Sequence, residues 1–133
     1  MKIIVAQRHA ANLRGIRSCV EAIDPVRAGE IVFTSSPEWV LSQIRNNEPA
    51  FVVSGQVFEG HMEGTDLARK VKRLNPKVLF FIYSIMPERN ESVDGIIPKG
   101  MGTCTTGEHG LLASILVSNL ESATPESIRK MLC

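Results

Sequence analysis

Four polar side chains follow or close apolar runs of the sequence, and these residues have the clearest capacity for chemistry. Gln7 and Arg8 follow "KIIVA", Ser84 closes "VLFFIYS", and Lys99 follows "GIIP". If these runs are strands of an open parallel sheet, their carboxyl ends form the edge at which ligands bind. Arg8, Ser84 and Lys99 would then converge without a carboxylate to neutralise them, and such a cluster could hold an anion.

The elements that would position these side chains alternate along the chain. Short, almost continuously apolar runs indicate strands that are covered on both faces. They are "KIIVA" (2–6), "EIVFT" (30–34), "AFVVS" (50–54), "VLFFIYS" (78–84) and "GIIP" (95–98). Helical patterns lie at 10–23, from Pro37 onward with Ser36 as the N-cap, in "TDLARKVKRLN" and in "GEHGLLASILVSNL". This alternation predicts a doubly wound α/β domain with a parallel sheet.

Two segments depart from regular alternation. Only 14 residues separate Ser84 from Lys99, and they must include the fifth strand. Because Pro87 and the polar "ERNES" fall within this segment, the fourth helix, between the fourth and fifth strands, is predicted to be shortened or missing. Residues 121–133 predict a linker and a short C-terminal helix with Thr124 as its N-cap.

The order of the elements and several local strings resemble the receiver domain of two-component response regulators. "VAQRHAANLRGIR" resembles the first strand and helix of that family. The stretch from "PAFVVSG" to "FFIYS" resembles its third strand, third helix and fourth strand, and "GIIPKG" resembles its last strand. The resemblance covers residues 1–120. It implies the CheY-like, flavodoxin-like fold, with a five-stranded parallel sheet of order 2-1-3-4-5, and leaves residues 121–133 as an addition.

The resemblance also implies a particular set of chemical residues. Receivers hold Mg²⁺ on two acids after the first strand and one after the third, because this hard cation requires oxygen ligands. The acid after the third strand also accepts the phosphoryl group. A Ser or Thr after the fourth strand and a Lys after the fifth bind the phosphoryl oxygens, and Ser84 and Lys99 match these two positions.

The acidic positions of the family are not matched in this chain. The acidic pair corresponds to Gln7 and Arg8. The acceptor corresponds to Gly55 or Gln56, since the loop that ends at Gly64 is one residue longer than the usual pattern. A guanidinium at the Mg²⁺ position should repel the metal, and aspartyl phosphorylation would have no nucleophile. We therefore expect a degenerate member, a pseudo-receiver, with neither metal nor cofactor.

Nearby acids could alter this electrostatic balance. Glu59 follows the third strand and leaves two alternatives open. It could fold back to pair with Arg8 or Lys99, or it could remain a solvated loop residue.

Other patterns in the sequence favour structural roles. Gly102 and Gly107 have Walker A spacing, but Glu108 and His109 replace the Lys and Ser or Thr that phosphate binding requires. The scattered histidines form no metal motif and are expected to lie on the surface or in loops; they are His9, His61 and His109. The basic run from Arg69 to Lys77 is expected to be a solvated helix face.

Composition excludes several classes of protein. The 133 residues are 44% hydrophobic and 22% charged with net charge +1, which is typical of a globular domain without bulk affinity for nucleic acids or membranes. No apolar stretch approaches the length of a membrane span. The three cysteines form no CxxC pair, and the first residues lead straight into a strand. We therefore expect a cytoplasmic protein with reduced thiols and no signal peptide.

These observations predict a non-enzymatic, phosphorylation-independent regulatory module, such as the input domain of a transcriptional or two-component-type regulator. It would act through a protein partner or self-association at the fifth strand, fifth helix and C-terminal helix, without binding membranes or nucleic acids directly. One alternative is a sensor that binds an anion or small metabolite through Arg8, Ser84 and Lys99. Another is a true receiver with an unconventional acceptor such as Ser54 or Ser84.

Overall fold

A five-stranded parallel sheet forms the centre of the protein. The computed structural model describes residues 1–60, 62–100 and 108–132. Its strands are β1 Lys2–Ala6, β2 Ile31–Thr34, β3 Ala50–Ser54, β4 Leu79–Ser84 and β5 Gly95–Pro98. The strand order is β2-β1-β3-β4-β5, as the resemblance implied. All five predicted strands are confirmed, and β2 and β4 each begin one residue later than predicted.

The described residues form six α-helices. They are α1 Ala10–Ile23, α2 Pro25–Glu30, α3 Pro37–Gln43, α4 Gly64–Leu74, α5 Gly110–Leu116 and α6 Pro125–Met131. None of these helices is long and apolar enough to cross a membrane. The apolar pattern did not predict α2, because six residues are too few to display a helical period. The one local signal for this helix is its N-cap, Asp24, whose side chain accepts a hydrogen bond from the Arg27 N–H at 3.0 Å.

The sheet is covered on both faces. One face packs against α1, α5 and α6, whose buried members are Ile16, Val20, Leu112, Ala113, Ile115, Leu116 and Ile128. The other face packs against α3 and α4, whose buried members are Val40, Leu67, Ala68 and Val71. Every residue of β3 is buried because this central strand has a helical layer on either side.

Helix α6 packs on the domain. Thr124 caps its first turn, as predicted. Ile128 is 1% exposed and belongs to the apolar cluster that includes α1 and α5. The Arg129 guanidinium donates two hydrogen bonds, at 3.1 and 2.9 Å, to the carbonyl oxygen of Asp94 beside β5. The predicted C-terminal helix therefore contributes to the core and covers the start of β5.

The connection between β4 and β5 contains no helix in residues 85–94, so the predicted fourth helix is missing rather than shortened. A polar contact with α4 fixes the end of this connection. Lys72 Nζ lies 2.7 Å from Asp94 Oδ2, and both side chains are 18% exposed. The same carboxylate oxygen accepts a hydrogen bond from the Phe80 N–H at 2.8 Å. Asp94 thus joins β4, β5 and α4.

Replacing Asp94 with alanine should reduce the free energy of unfolding by about 2–4 kcal/mol, because the Lys72 ammonium loses its anionic partner, keeping only the Val78 carbonyl, and the Phe80 N–H loses its acceptor. Urea denaturation followed by circular dichroism measures this loss. The exposed Glu121 provides a control. Glu121→Ala should change stability by no more than about 0.5 kcal/mol. Equal stability of the two variants would contradict a structural role for Asp94.

Candidate functional site

The polar residues after the strands meet at one edge of the sheet because the parallel strands are paired in register. Ala6 at the end of β1 pairs with Ser54 at the end of β3, which pairs with Ile82 of β4. Ser84 at the end of β4 pairs with Pro98 at the end of β5. The residues that follow surround a cavity of about 210 Å³. All six residues of the predicted pocket line it: Gln7, Arg8, Gly55, Gln56, Ser84 and Lys99.

The side chain of Gln7 lies beside Gly55, the residue that follows β3. Its side chain is 3% exposed, and Nε2 donates a hydrogen bond of 3.2 Å to the carbonyl oxygen of Tyr83. A Cβ atom placed on Gly55 would lie 3.3 Å from Gln7 Nε2, closer than an ordinary van der Waals contact. Gly55 is itself held against β1, since its N–H donates to the carbonyl oxygen of Ala6 at 2.8 Å. Gln7 and Gly55 therefore fit one another.

Gln56 is buried and has a structural role at the rim of the cavity. Its Oε1 accepts a hydrogen bond from the Glu88 N–H at 3.1 Å, and its Nε2 donates to Thr65 Oγ1 at 3.4 Å. The Gln56 carbonyl also accepts from the N–H of Gly64 at 2.8 Å. A Cβ atom at Gly64 would collide with the carbonyl oxygen of Gly55, so glycine is required where α4 begins.

Two cations and a hydroxyl stand on the remaining sides of the cavity. Arg8 is exposed, whereas Lys99 and Ser84 are half-buried. Lys99 Nζ lies 5.8 Å from the centre of the Tyr83 ring, within the range of a cation–π contact. Ser84 Oγ accepts a hydrogen bond from the Met86 N–H at 3.3 Å. The predicted convergence of Arg8, Ser84 and Lys99 at the sheet edge is confirmed.

Among the described residues, no acidic side chain lines the cavity. Glu59 borders a neighbouring cavity that Arg8 also lines. Within the described part of the chain, however, no carboxylate forms an ion pair with Arg8 or Lys99. The alternative in which Glu59 pairs with one of these cations is therefore wrong. Glu59 is an exposed loop residue, as the other alternative predicted.

Tyr83 connects the cavity to the start of α5, a contact that the sequence did not reveal. Its hydroxyl lies 2.7 Å from His109 Nδ1 and 3.2 Å from the carbonyl oxygen of Glu108. A Cβ atom on Gly15 of α1 would lie 3.0 Å from His109 Nε2, so α1 approaches the imidazole closely. His109 is 7% exposed. His109 lies in the turn before α5, as the loop alternative predicted, but it is buried rather than at the surface, because α1 and β4 enclose it.

Burial shifts the pKa values of this pair. It lowers the pKa of His109, and the ammonium of Lys99 adds to that effect, whereas the carboxylate of Glu108 opposes it. Burial also raises the pKa of Tyr83 well above its usual range, and Glu108 adds to this rise. Both groups are therefore held in their neutral forms.

The remaining sequence signals contribute little to this site. His9 lines the cavity but is exposed, in agreement with its prediction. The basic run is partly engaged in ion pairs, since Lys72 contacts Asp94 and Arg69 lies 3.9 Å from both Asp66 and Glu91. Several residues considered above lie outside the described residues, namely His61, Gly102, Cys104, Gly107 and Cys133.

Solved structures share the architecture of this chain, although no protein-family profile and no curated protein sequence matches it. The isolated REC domain of RcsB from Salmonella enterica serovar Typhimurium gives a TM-score of 0.57 at 18% identity, over 100% of this chain and 99% of that one. The response regulator StyR gives 0.59 at 17% identity, over 98% of this chain and 65% of that one. The chain has the fold of a receiver domain. An adenylate cyclase from Rhodopirellula baltica gives 0.58 at 13% identity, over 98% of this chain and 89% of that one.

The residues at the edge of this receiver fold do not fit the Mg²⁺ ion that receivers use. Magnesium requires near-octahedral oxygen coordination and is usually held by carboxylates. The positions after β1 and β3 instead carry Gln7, Arg8 and Gly55, which supply a single neutral oxygen and one positive side chain. Among the described residues, no group of three or more His, Cys, Asp or Glu side chains could hold a metal ion.

The buried His109 should make stability depend on pH in a defined direction. Its pKa in the folded chain lies below the ordinary value of 6.5, so between these values the unfolded chain binds more protons. Stability is therefore lost as the pH falls from about 6.5 through the folded-state pKa. Thermal unfolding at a series of pH values should show that the melting temperature falls less on acidification for His109→Gln than for the wild type.

The exposed His9 provides the matched control for this measurement. His9→Gln should retain the pH dependence of the wild type, because His9 is exposed and folding does not enclose its imidazole. Identical pH profiles for His109→Gln and the wild type would show that His109 does not contribute to the pH dependence of stability.

Proposed function

We propose that this protein is a receiver-like regulatory module that works without aspartyl phosphorylation and without enzymatic activity. The observation that carries the proposal is the fit between Gln7 and Gly55, because a side chain at position 55 would begin 3.3 Å from the Gln7 amide, which would have to shift to admit it. Arg8 adds a positive charge at the same edge of the sheet. The fold supports a role in signalling, since structures with this fold include the response regulators RcsB and StyR.

The chemistry of phosphoryl transfer supports the first part of the proposal. An aspartyl phosphate requires a carboxylate nucleophile, and a nearby cation must neutralise the charge that develops on the phosphoryl oxygens. Gly55 and Gln56 supply no nucleophile. Ser54 is a poor substitute, because it is fully buried and its hydroxyl donates to the carbonyl oxygen of Gly55 at 2.8 Å.

Restoring the acids should restore the chemistry, since Ser84 and Lys99 already stand at the cavity. The wild type should gain no phosphoryl group when incubated with acetyl phosphate and Mg²⁺. The triple variant Gln7→Asp, Arg8→Asp, Gly55→Asp should gain one, because it supplies a nucleophile, carboxylate ligands and the room left by the shorter side chain at position 7. Intact-protein mass spectrometry measures the adduct.

The matched control is the single variant Gly55→Asp. It supplies the nucleophile but keeps the Gln7 amide against it and the Arg8 guanidinium at the metal position, so it should remain unmodified. A stoichiometric phosphoryl adduct on the wild type would contradict the proposed function and would revive an unconventional acceptor.

We further propose that the module acts through protein contact at β5, α5 and α6. Three features support this proposal. Strand β5 is at the edge of the sheet, no helix follows β4 in residues 85–94, and α6 presents the 38% exposed side chain of Met131 next to the buried face that anchors it. Ile85 and Met86 add exposed apolar surface in the connection that leads to β5. Exposed apolar side chains gain free energy when a partner covers them.

Self-association is the form of contact that can be tested with the chain alone. Sedimentation velocity should show concentration-dependent association of the wild type, and Met131→Asp should weaken it by introducing an unpaired charge into the interface. Val26→Asp is the control, because Val26 is 77% exposed but lies on α2, which packs next to the opposite edge strand β2. A wild type that remains monomeric at all concentrations would contradict self-association.

The setting of this module is also a proposal. We propose that it acts in the cytoplasm, which is consistent with three cysteines that form no CxxC pair. We also propose that it does not bind DNA directly, because its net charge is only +1 and Lys72, within the basic run, is engaged by Asp94.

A further inference from the structure

We propose that the cavity at the carboxyl edge of the sheet binds a small oxyanion, such as phosphate, sulfate or a small phosphomonoester, without a metal ion. Arg8, Lys99 and Ser84 would be the groups that hold it. The inference rests on the part of the proposed function that denies the cavity a divalent cation, and it adds a ligand for the same residues.

The charges around the cavity favour an anion. Arg8 and Lys99 both line it, and within the described residues neither forms an ion pair with a carboxylate. Two like charges that share a cavity repel one another, and a bound anion converts that repulsion into two attractions. The covalently attached guanidinium of Arg8 would supply the positive charge that a metal ion supplies in other anion-binding sites.

The polar groups of the cavity divide into those already engaged and those open to a ligand. Gln56 uses its amide in hydrogen bonds to Glu88 and Thr65, and the Nε2 of Gln7 is held by the backbone. The Ser84 hydroxyl accepts one hydrogen bond from the backbone, and among the described residues no acceptor takes its proton, which can therefore be donated to an anion. Arg8, Lys99 and Ser84 are therefore the groups that can donate hydrogen bonds to a ligand in the cavity.

The size of the cavity limits the ligand. Its volume of about 210 Å³ exceeds the roughly 30 Å³ that one water molecule occupies in the liquid, and it falls below the range of about 300–1,000 Å³ that is usual for drug-sized ligands. A tetrahedral oxyanion with some bound water fits these limits. Because Arg8 is exposed, the anion can reach the cavity from solvent.

Isothermal titration with inorganic phosphate and with sulfate tests the proposal, in EDTA and at constant ionic strength. The wild type should bind both anions. Arg8→Ala and Lys99→Ala should each weaken binding at least about tenfold, because each removes a charge-assisted hydrogen bond. Arg8 and Lys99 are not fully buried, and circular dichroism would verify that both variants keep the fold.

Arg73→Ala is the matched control, since Arg73 is an exposed cation in the last turn of α4, at the opposite end of that helix from the cavity. It should bind phosphate as the wild type does. Absence of binding to the wild type, or equal weakening by Arg73→Ala and Arg8→Ala, would overturn the proposal. Because EDTA excludes Mg²⁺, the titration is read independently of the acetyl phosphate experiment, and a failure of anion binding can be told apart from a failure of the proposed function.

Discussion

The register of the parallel strands is the constraint on which the rest of the molecule depends. Because Ala6, Ser54 and Ile82 lie side by side, the residue after β1 must meet the residue after β3. That meeting puts the buried amide of Gln7 against Gly55 and next to the backbone of Tyr83. A side chain at position 55 would begin 3.3 Å from the Gln7 amide, so the buried glutamine and the glycine beside it fit one another closely.

Polar contacts also hold the connection between β4 and β5, which contains no helix in residues 85–94. Gln56 links the start of this connection to α4 by accepting from the Glu88 N–H while donating to Thr65. Asn90 donates to the carbonyl oxygen of Thr65 at 3.0 Å, and the Lys72–Asp94 pair fixes the far end. Helix α4 thus serves as the anchor of a connection that has no helix of its own. Because Gln56 belongs to both the cavity rim and this network, the rim is tied to the body of the domain.

Tyr83 contacts both the cavity and the face of the sheet that α1 and α5 cover. Its backbone carbonyl accepts from Gln7, its ring lies under the Lys99 ammonium, and its hydroxyl meets His109 at the start of α5. Lys99 in turn contributes to the electrostatic environment of His109. The cavity and the face of the sheet that α1 and α5 cover therefore share one buried aromatic residue.

The sequence by itself determined the strands, their order through a resemblance, and the residues at the carboxyl edge. Continuous apolar runs identify buried strands, and parallel strands bring the residues that follow them to one edge, so Gln7, Arg8, Ser84 and Lys99 could be grouped in advance. Only the tertiary structure decided which polar groups are buried and what they contact. The burial of His109 and the engagement of Gln56 both depend on distances between segments far apart in the chain. Local pattern does not fix such distances, because the packing of several helices against the sheet sets them together.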